Sequence, residues 1–306
     1  MPPMNRRTFI GSSIAATIAT AARPSWAADS AHHIDKIGIQ LYTVRDAMKT
    51  DFEGTIAKVA ATGYKEVEFA GILAANAGYY GHSPKDVRAI LDKNGLASPS
   101  CHAGYDVVEK RWPEALEASK IVGHGYIICP WIDEKQRVEP DGWKRAAELF
   151  NKAGEASKKA GIQFGYHNHS FEFQPADSLG GKLPYDFLLS AMDPKLVTME
   201  MDLCWISVAG KDPLAYFNKY PGRFPLVHVK DYVKDPNSTS SYDGATGSVK
   251  FEGRLADVGQ GSIDWKGIFA QSGKAGIKHY FVENDEPKSA FDDIKISYEY
   301  LHNLKF

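Results

Sequence analysis

The chain has 306 residues, of which 43% are hydrophobic and 24% charged, and its formal net charge is −2. That composition is ordinary for a globular protein and long enough for one large core or two small ones. A mildly acidic chain lacks the basic stripe that nucleic-acid binding requires, so no nucleic-acid partner is expected.

The first 27 residues read as an export signal. Asn5-Arg6-Arg7-Thr8-Phe9-Ile10 sets two arginines before an apolar residue, the weakly apolar run Gly11 to Ala22 follows, and Ser25-Trp26-Ala27 offers small residues to a signal peptidase. This is similar to a twin-arginine signal, whose substrates are generally exported folded. The apolar run is too short to span a membrane, and no later segment is long enough. The mature part, residues 34–306, is therefore expected to be periplasmic or secreted and free of the membrane.

A rhythm of short apolar strand and amphipathic helix then repeats. Strands are predicted at Ile37 to Leu41, Glu66 to Phe69, Ala97 to Cys101 ending in His102, Tyr126 to Cys129, Gln163 to His167, Val197 to Asp202, Leu226 to Lys230 and His279 to Glu283. Helices are predicted between them: Phe52 to Ala61 stopped by Gly63, one from N-cap Ser83 and Pro84 to Gly95, Pro113 to Lys120, and Gly142 to Ala160. Four more follow, at Tyr185 to Ala191, Pro213 to Tyr220, Trp265 to Gly273 and Ser289 to Leu301. Alternating strands and helices imply a parallel sheet, and eight such units match a single closed (β/α)8 TIM barrel. A doubly wound open sheet is the alternative, but the turn Tyr42-Thr43-Val44-Arg45-Asp46 after the first strand has no phosphate-cradling glycine. Tyr232 to Asp257, rich in Ser, Gly and Asp, reads as a long irregular lid or binding loop. Cys101, Cys129 and Cys204 are odd in number and without a Cys-x-x-Cys, so they read as buried free thiols.

In such a barrel the reacting groups come from the C-terminal ends of the strands. Those ends carry Gln40, Glu68, His102, His167 with His169, Asp202, His228 with Lys230, and Glu283. Acids and histidines at buried positions are rare unless paired or metal-bound. Asp202, His228 and Glu283 on successive strands, with His167 as a fourth, suit a hard or borderline divalent cation (Mn, Zn, Mg or Co). A hydrogen-bonded polar layer without metal is the bland alternative.

Tyr166-His167-Asn168-His169, Met201-Asp202-Leu203-Cys204-Trp205, His228-Val229-Lys230-Asp231 and Val282-Glu283-Asn284-Asp285, in that order, resemble the sugar phosphate isomerase/epimerase family. That family belongs to the xylose-isomerase-like barrels of the AP endonuclease 2 superfamily. Gly38 to Tyr42 and the run Gly259 to Trp265 also fit it. The resemblance implies metal ligands on strands five to eight, the last three at Asp202, His228 and Glu283. Strand five departs from the family: His167 stands where the epimerases carry a Glu that pairs with the strand-eight Glu in acid–base exchange. Glu172 from the following loop, or His169, is open as a replacement.

The chemistry expected is proton abstraction next to a sugar carbonyl through an enediolate, with Glu283 and His102 as base and acid and Lys230 stabilising the oxyanion. Lys230 as a structural partner of Asp231 or Glu200 is the alternative. Gln40, Glu68, His169, Glu172 and Trp205 are candidates to bind the substrate, a small sugar or keto-glycoside. Isomerisation or epimerisation is the first reading. Elimination of the aglycone from a 3-keto-glycoside is the second, and a periplasmic carbohydrate-binding protein on an inactive barrel is the non-enzymatic one.

Overall fold

The strands form where apolar runs can be covered on both faces, by helices outside and by one another's side chains within. The computed structural model describes residues 32–73, 79–234, 241–242, 249–250 and 253–306; the export-signal reading at residues 1–27 lies outside them. Eight strands close into a parallel barrel: β1 (Ile37–Gln40), β2 (Glu66–Phe69), β3 (Ala97–His102), β4 (Tyr126–Cys129), β5 (Gln163–His167), β6 (Val197–Asp202), β7 (Leu226–Val229) and β8 (His279–Val282). Strand β8 pairs back onto β1 with Ile37 opposite Tyr280 and Gly38 opposite Phe281. The fold is the TIM barrel that the strand–helix rhythm predicts.

Inside the barrel, Ile128, Leu226 and Phe281 pack together against Tyr126. Gly38 makes room for them: a Cβ there would lie 2.6 Å from Phe281 Cδ1. Side chains two apart on a strand share a face. One step above Leu226 the inward residue is therefore His228, and one step above Phe281 it is Glu283. The apolar layer is the floor on which the polar mouth stands.

Outside, the longest helix among the described residues, Gly142–Lys159, buries Trp143, Ala146, Phe150, Ala153 and Ser157 along one face. Phe150 lies 5.4 Å from both Phe164 and Tyr166 of β5, so this helix fixes the strand that ends in His167. Helix Pro84–Lys93 carries the cap its sequence announces, Ser83 and Asp86 exchanging bonds as a capping box. The three cysteines are buried free thiols, as expected. No helix among the described residues is long and apolar enough to cross a membrane.

Three expectations are corrected. The segment read as an irregular loop after Tyr232 holds an antiparallel ribbon, Asp231–Lys234 paired with Gly253–Ala256. The helix expected at Trp265 to Gly273 is two short ones, Trp265–Phe269 and Ser272–Ala275. Unexpected short helices also lie after β3, β4 and β6, at Tyr105–Lys110, Glu134–Arg137 and Leu203–Val208.

Candidate functional site

Strand β6 ends Glu200-Met201-Asp202, and alternation turns both acids inward at different heights. At the lower height Glu200 Oε2 meets three imidazoles: His102 Nε2 at 2.8 Å, His167 Nδ1 at 3.2 Å and His228 Nε2 at 3.3 Å. Glu68 Oε2 lies beside it, 2.8 Å from His228 Nε2 and 3.2 Å from His102 Nε2. Glu68 also accepts hydrogen bonds from Gln40 Nε2 and the Ser100 hydroxyl. Burial alone would raise the Glu68 carboxyl, but His102 and His228 hold it well below the ordinary range. Burial would likewise strip His102 of its proton, and Glu68 and Glu200 outweigh it, raising the imidazole to about 9.

At the upper height Asp202 Oδ1 accepts from Trp205 N at 2.7 Å and caps helix Leu203–Val208. Asp202 Oδ2 then faces inward. His228 Nδ1 is 2.9 Å from Glu283 Oε2 and 4.0 Å from Asp202 Oδ2, and His167 Nε2 is 3.9 Å from the same Asp202 oxygen. Lys230 Nζ sits among Asp202 Oδ2 at 3.0 Å, Glu283 Oε2 at 2.7 Å and Asp285 Oδ2 at 2.8 Å. Its ammonium also lies 5.2 Å from the Trp205 ring. Burial opposes charge on both Lys230 and His228, yet the surrounding carboxylates hold both pKa values well above the usual. His167 goes the other way: burial and the nearby His228 push it well below the usual value, leaving a neutral ring.

This arrangement fits a metal. Asp202, His228 and Glu283 bring ligand atoms within 4.8 Å of one another, all buried. Asp202 Oδ2 is buried and makes no hydrogen bond, although the Lys230 ammonium touches it. Two carboxylates and an imidazole are donors that zinc, manganese and similar ions accept. The ammonium between Asp202 and Glu283 marks where positive charge is wanted.

The structure brings His167, Asp202, His228, Glu283 and Lys230 together, with His102, Glu68 and Gln40 directly beneath. His169 and Trp205 lie at the rim, where His169 also touches Trp131 and Phe171, with ring centroids 4.8 and 5.8 Å away. Burial and the Lys230 charge pull His169 down to about 3. Glu172 is elsewhere. Its carboxylate accepts from the Tyr166 hydroxyl at 2.6 Å and the His169 backbone at 2.9 Å, and burial pushes it up to about 7. Lys230 pairs with neither Asp231 nor Glu200 in the way the alternative reading expects. Asp231 points to the other side, accepting from Gly259, Gly261 and Ile263 N–H groups and from the Trp265 indole. That hub explains the run Gly259 to Trp265: a Cβ on Gly261 would lie 2.0 Å from Asp231 Oδ1.

Ser100, Asp285 and Trp131 line the site and escaped the sequence reading, which named Glu200 only as an alternative partner of Lys230. Alternation back from Asp202 and onward from Glu283 finds Glu200 and Asp285. Trp131, two residues beyond β4, carries no such signal.

The fold and the site define a barrel enzyme with a buried, metal-competent mouth. The xylose isomerase-like TIM barrel family matches residues 56–300, and the chain belongs to that family. Inosose dehydratase of Lacticaseibacillus casei is 25% identical over 261 residues, spanning 78% of this chain and 83% of its own. A sugar phosphate isomerase/epimerase from Parabacteroides distasonis superposes with a TM-score of 0.68 at 26% identity, over 89% of this chain and 95% of that one. An IOLI protein with a bound zinc atom shares the fold, with a TM-score of 0.66 at 13% identity over 86% of this chain and 95% of its own.

Proposed function

We propose that the protein is a divalent-metal-dependent lyase that takes the proton next to the carbonyl of a sugar-like ketone and expels the group on the β carbon. The observation that carries this reading is the convergence of Asp202, His228 and Glu283 beside the imidazole of His167. Epimerisation calls for proton-exchanging groups on both faces of one carbon, and strand five offers no carboxylate for the second face. Elimination calls for one base and one acid.

His167, Asp202, His228 and Glu283 would hold the cation, which when bound polarises the substrate carbonyl and acidifies the neighbouring C–H bond. The short contacts of Glu283 engage Oε2, so Oε1 is the atom assigned to take the proton. The C–H electron pair becomes the new C=C bond as the bond to the β substituent breaks. His102, charged between Glu68 and Glu200, gives its proton to the departing oxygen. Lys230 steadies negative charge on the carbonyl oxygen. His169 and Trp205 orient the ring from the rim.

The names of the relatives, a dehydratase and an isomerase/epimerase, support a polyhydroxylated ketone as substrate. The turn Tyr42 to Asp46 after the first strand has no phosphate-cradling glycine, which supports an unphosphorylated substrate. With residues 1–27 read as an export signal, a 3-keto-glycoside met in the periplasm suits both points. Isomerase/epimerase chemistry shares the first proton transfer and is supported by the names of the Parabacteroides structural neighbours.

The test incubates protein loaded with Mn, Zn, Mg or Co in deuterated water with an inosose and with a 3-keto-glycoside. An unsaturated ketone or a freed aglycone is expected. Solvent deuterium in an intact sugar, with nothing released, would overturn elimination in favour of isomerisation. Ligand binding that survives chelation, without turnover, would make the protein a carbohydrate-binding one. Asp202→Ala is expected to lose both metal and turnover; full metal content by elemental analysis would refute the ligand assignment.

A further inference from the structure

We propose that Glu200, supported by Glu68, is a positioning residue that holds both metal-binding imidazoles from below and locks His167 in the tautomer that turns a lone pair to the cation. The proposal rests on His167 and His228 being ligands and concerns what lies behind them.

A neutral imidazole carries one N–H and one lone pair, and its two hydrogen-bond partners decide which nitrogen has which. Both ligand rings stand between two layers of carboxylate. His228 turns Nδ1 up to Glu283 Oε2 and Asp202 Oδ2, at 2.9 and 4.0 Å, and Nε2 down to Glu68 Oε2 and Glu200 Oε2, at 2.8 and 3.3 Å. His167 turns Nε2 up to Asp202 Oδ2 at 3.9 Å and Nδ1 down to Glu200 Oε2 at 3.2 Å. One oxygen of Glu200 thus faces the lower nitrogen of both rings and also His102 Nε2 at 2.8 Å. Only an N–H group satisfies a carboxylate there, so in His167 the proton sits on Nδ1 and the Nε2 lone pair is directed upward. His228 meets a carboxylate at both nitrogens, so the lower carboxylates fix its orientation and not its tautomer. Glu200 Oε1 is buried and has no hydrogen-bond partner, so the imidazoles alone account for the orientation of this side chain. Glu68 is held in turn by Gln40 and Ser100. A carboxylate behind a ligating histidine fixes its orientation and raises its basicity, and its loss typically weakens metal binding by about 10–100-fold.

A rival use of the same atoms exists. His102, His167, Glu200 and His228 also lie within 4.8 Å of one another and form a ligand set on paper. Their N···O separations of 2.8–3.3 Å are hydrogen-bond lengths, already satisfied between partners.

The mature chain and its Glu200→Gln variant are titrated with Zn or Co against a chromophoric chelator. Stoichiometry is read by elemental analysis, and the ligand field by Co absorption. Wild type is expected to bind one ion, and Glu200→Gln also one, about 10–100-fold more weakly with the same Co band pattern. Glu200→Asp is expected to recover part of the loss, with metal-free melting temperatures close to wild type. If Glu200→Gln misfolds, Glu68→Gln is read in its place and is expected to weaken binding likewise. Affinity within threefold of wild type in the folded variant would overturn the proposal. Two ions in wild type with one lost in Glu200→Gln would overturn it too, by making Glu200 a ligand. A wild type that binds no ion would remove the ligand assignment itself, a separate failure.

Discussion

Lys230 brings a full charge into a space bounded by Asp202, Glu283 and Asp285, where its side chain is 1% exposed. Removing one partner of a buried ion cluster leaves the others uncompensated, typically at a cost of about 3–5 kcal/mol. Lys230→Met is therefore expected to melt well below wild type in chelator. A divalent cation would restore the missing charge, so its stabilising effect should be larger in the variant than in wild type; equal thermal shifts would refute the cage. At the opposite end of the barrel His124 shows the reverse electrostatics. It is buried, with Nε2 2.9 Å from the Tyr79 hydroxyl and Nδ1 2.8 Å from the Ser98 carbonyl. Burial pulls its pKa down to about 4 from 6.5. The unfolded chain takes up this proton first, so the contribution of His124 is complete above pH 6.5 and declines as the pH falls toward 4. The loss approaches about 3 kcal/mol. Denaturant unfolding at pH 7.5 and 4.5 should show a smaller drop for His124→Gln than for wild type, and parallel drops would contradict the account.

Elements were legible where the chain punctuates itself. The capping box of Pro84–Lys93 and the glycines after several helices set boundaries near those observed. The ribbon was not legible. Asp231–Lys234 and Gly253–Ala256 are four residues each, of mixed polarity, and pair across a long stretch of chain, so no local pattern announces them. Helix Leu203–Val208 was hidden for a different reason. Its Leu-Cys-Trp-Ile-Ser-Val is mostly apolar and only six residues long, too short to show a helical period, and it is the Asp202 Oδ1 cap that turns the chain into it. The same bond leaves Oδ2 to the site, so one side chain ends a strand, begins a helix and lines the mouth. The lower layer of the site was half legible. His102 and Glu68 stand at strand ends, whereas Glu200 lies one inward step below Asp202, where reading only last residues does not reach. The motif from Gly259 to Trp265 was visible as a pattern, but its purpose needed the Asp231 carboxylate, which gathers it from the far side of the ribbon.

At the scale of the whole barrel, closure and chemistry depend on the same strand. Gly38 on β1 faces Phe281 on β8, and a Cβ at Gly38 would come 2.6 Å from Phe281 Cδ1 and 3.0 Å from the Tyr280 carbonyl oxygen. Phe281 shares its inward face with Glu283, so pressure on the floor is passed to a residue of the metal cage. Overpacking of this kind typically costs about 1–3 kcal/mol, and each kcal/mol lowers the melting temperature of a barrel this size by roughly 2–4 °C. Gly38→Ala is expected to melt lower by that amount and also to bind Zn or Co more weakly, although it lies two residues below the mouth. Phe281→Leu in the same chain makes space for the new methyl group, and the two changes should be markedly non-additive because their side chains touch. The double variant should regain both melting temperature and metal affinity relative to Gly38→Ala. Recovery of stability without recovery of affinity would mean that β8 does not transmit the strain, and that Glu283 is held in place by Lys230 and His228 alone.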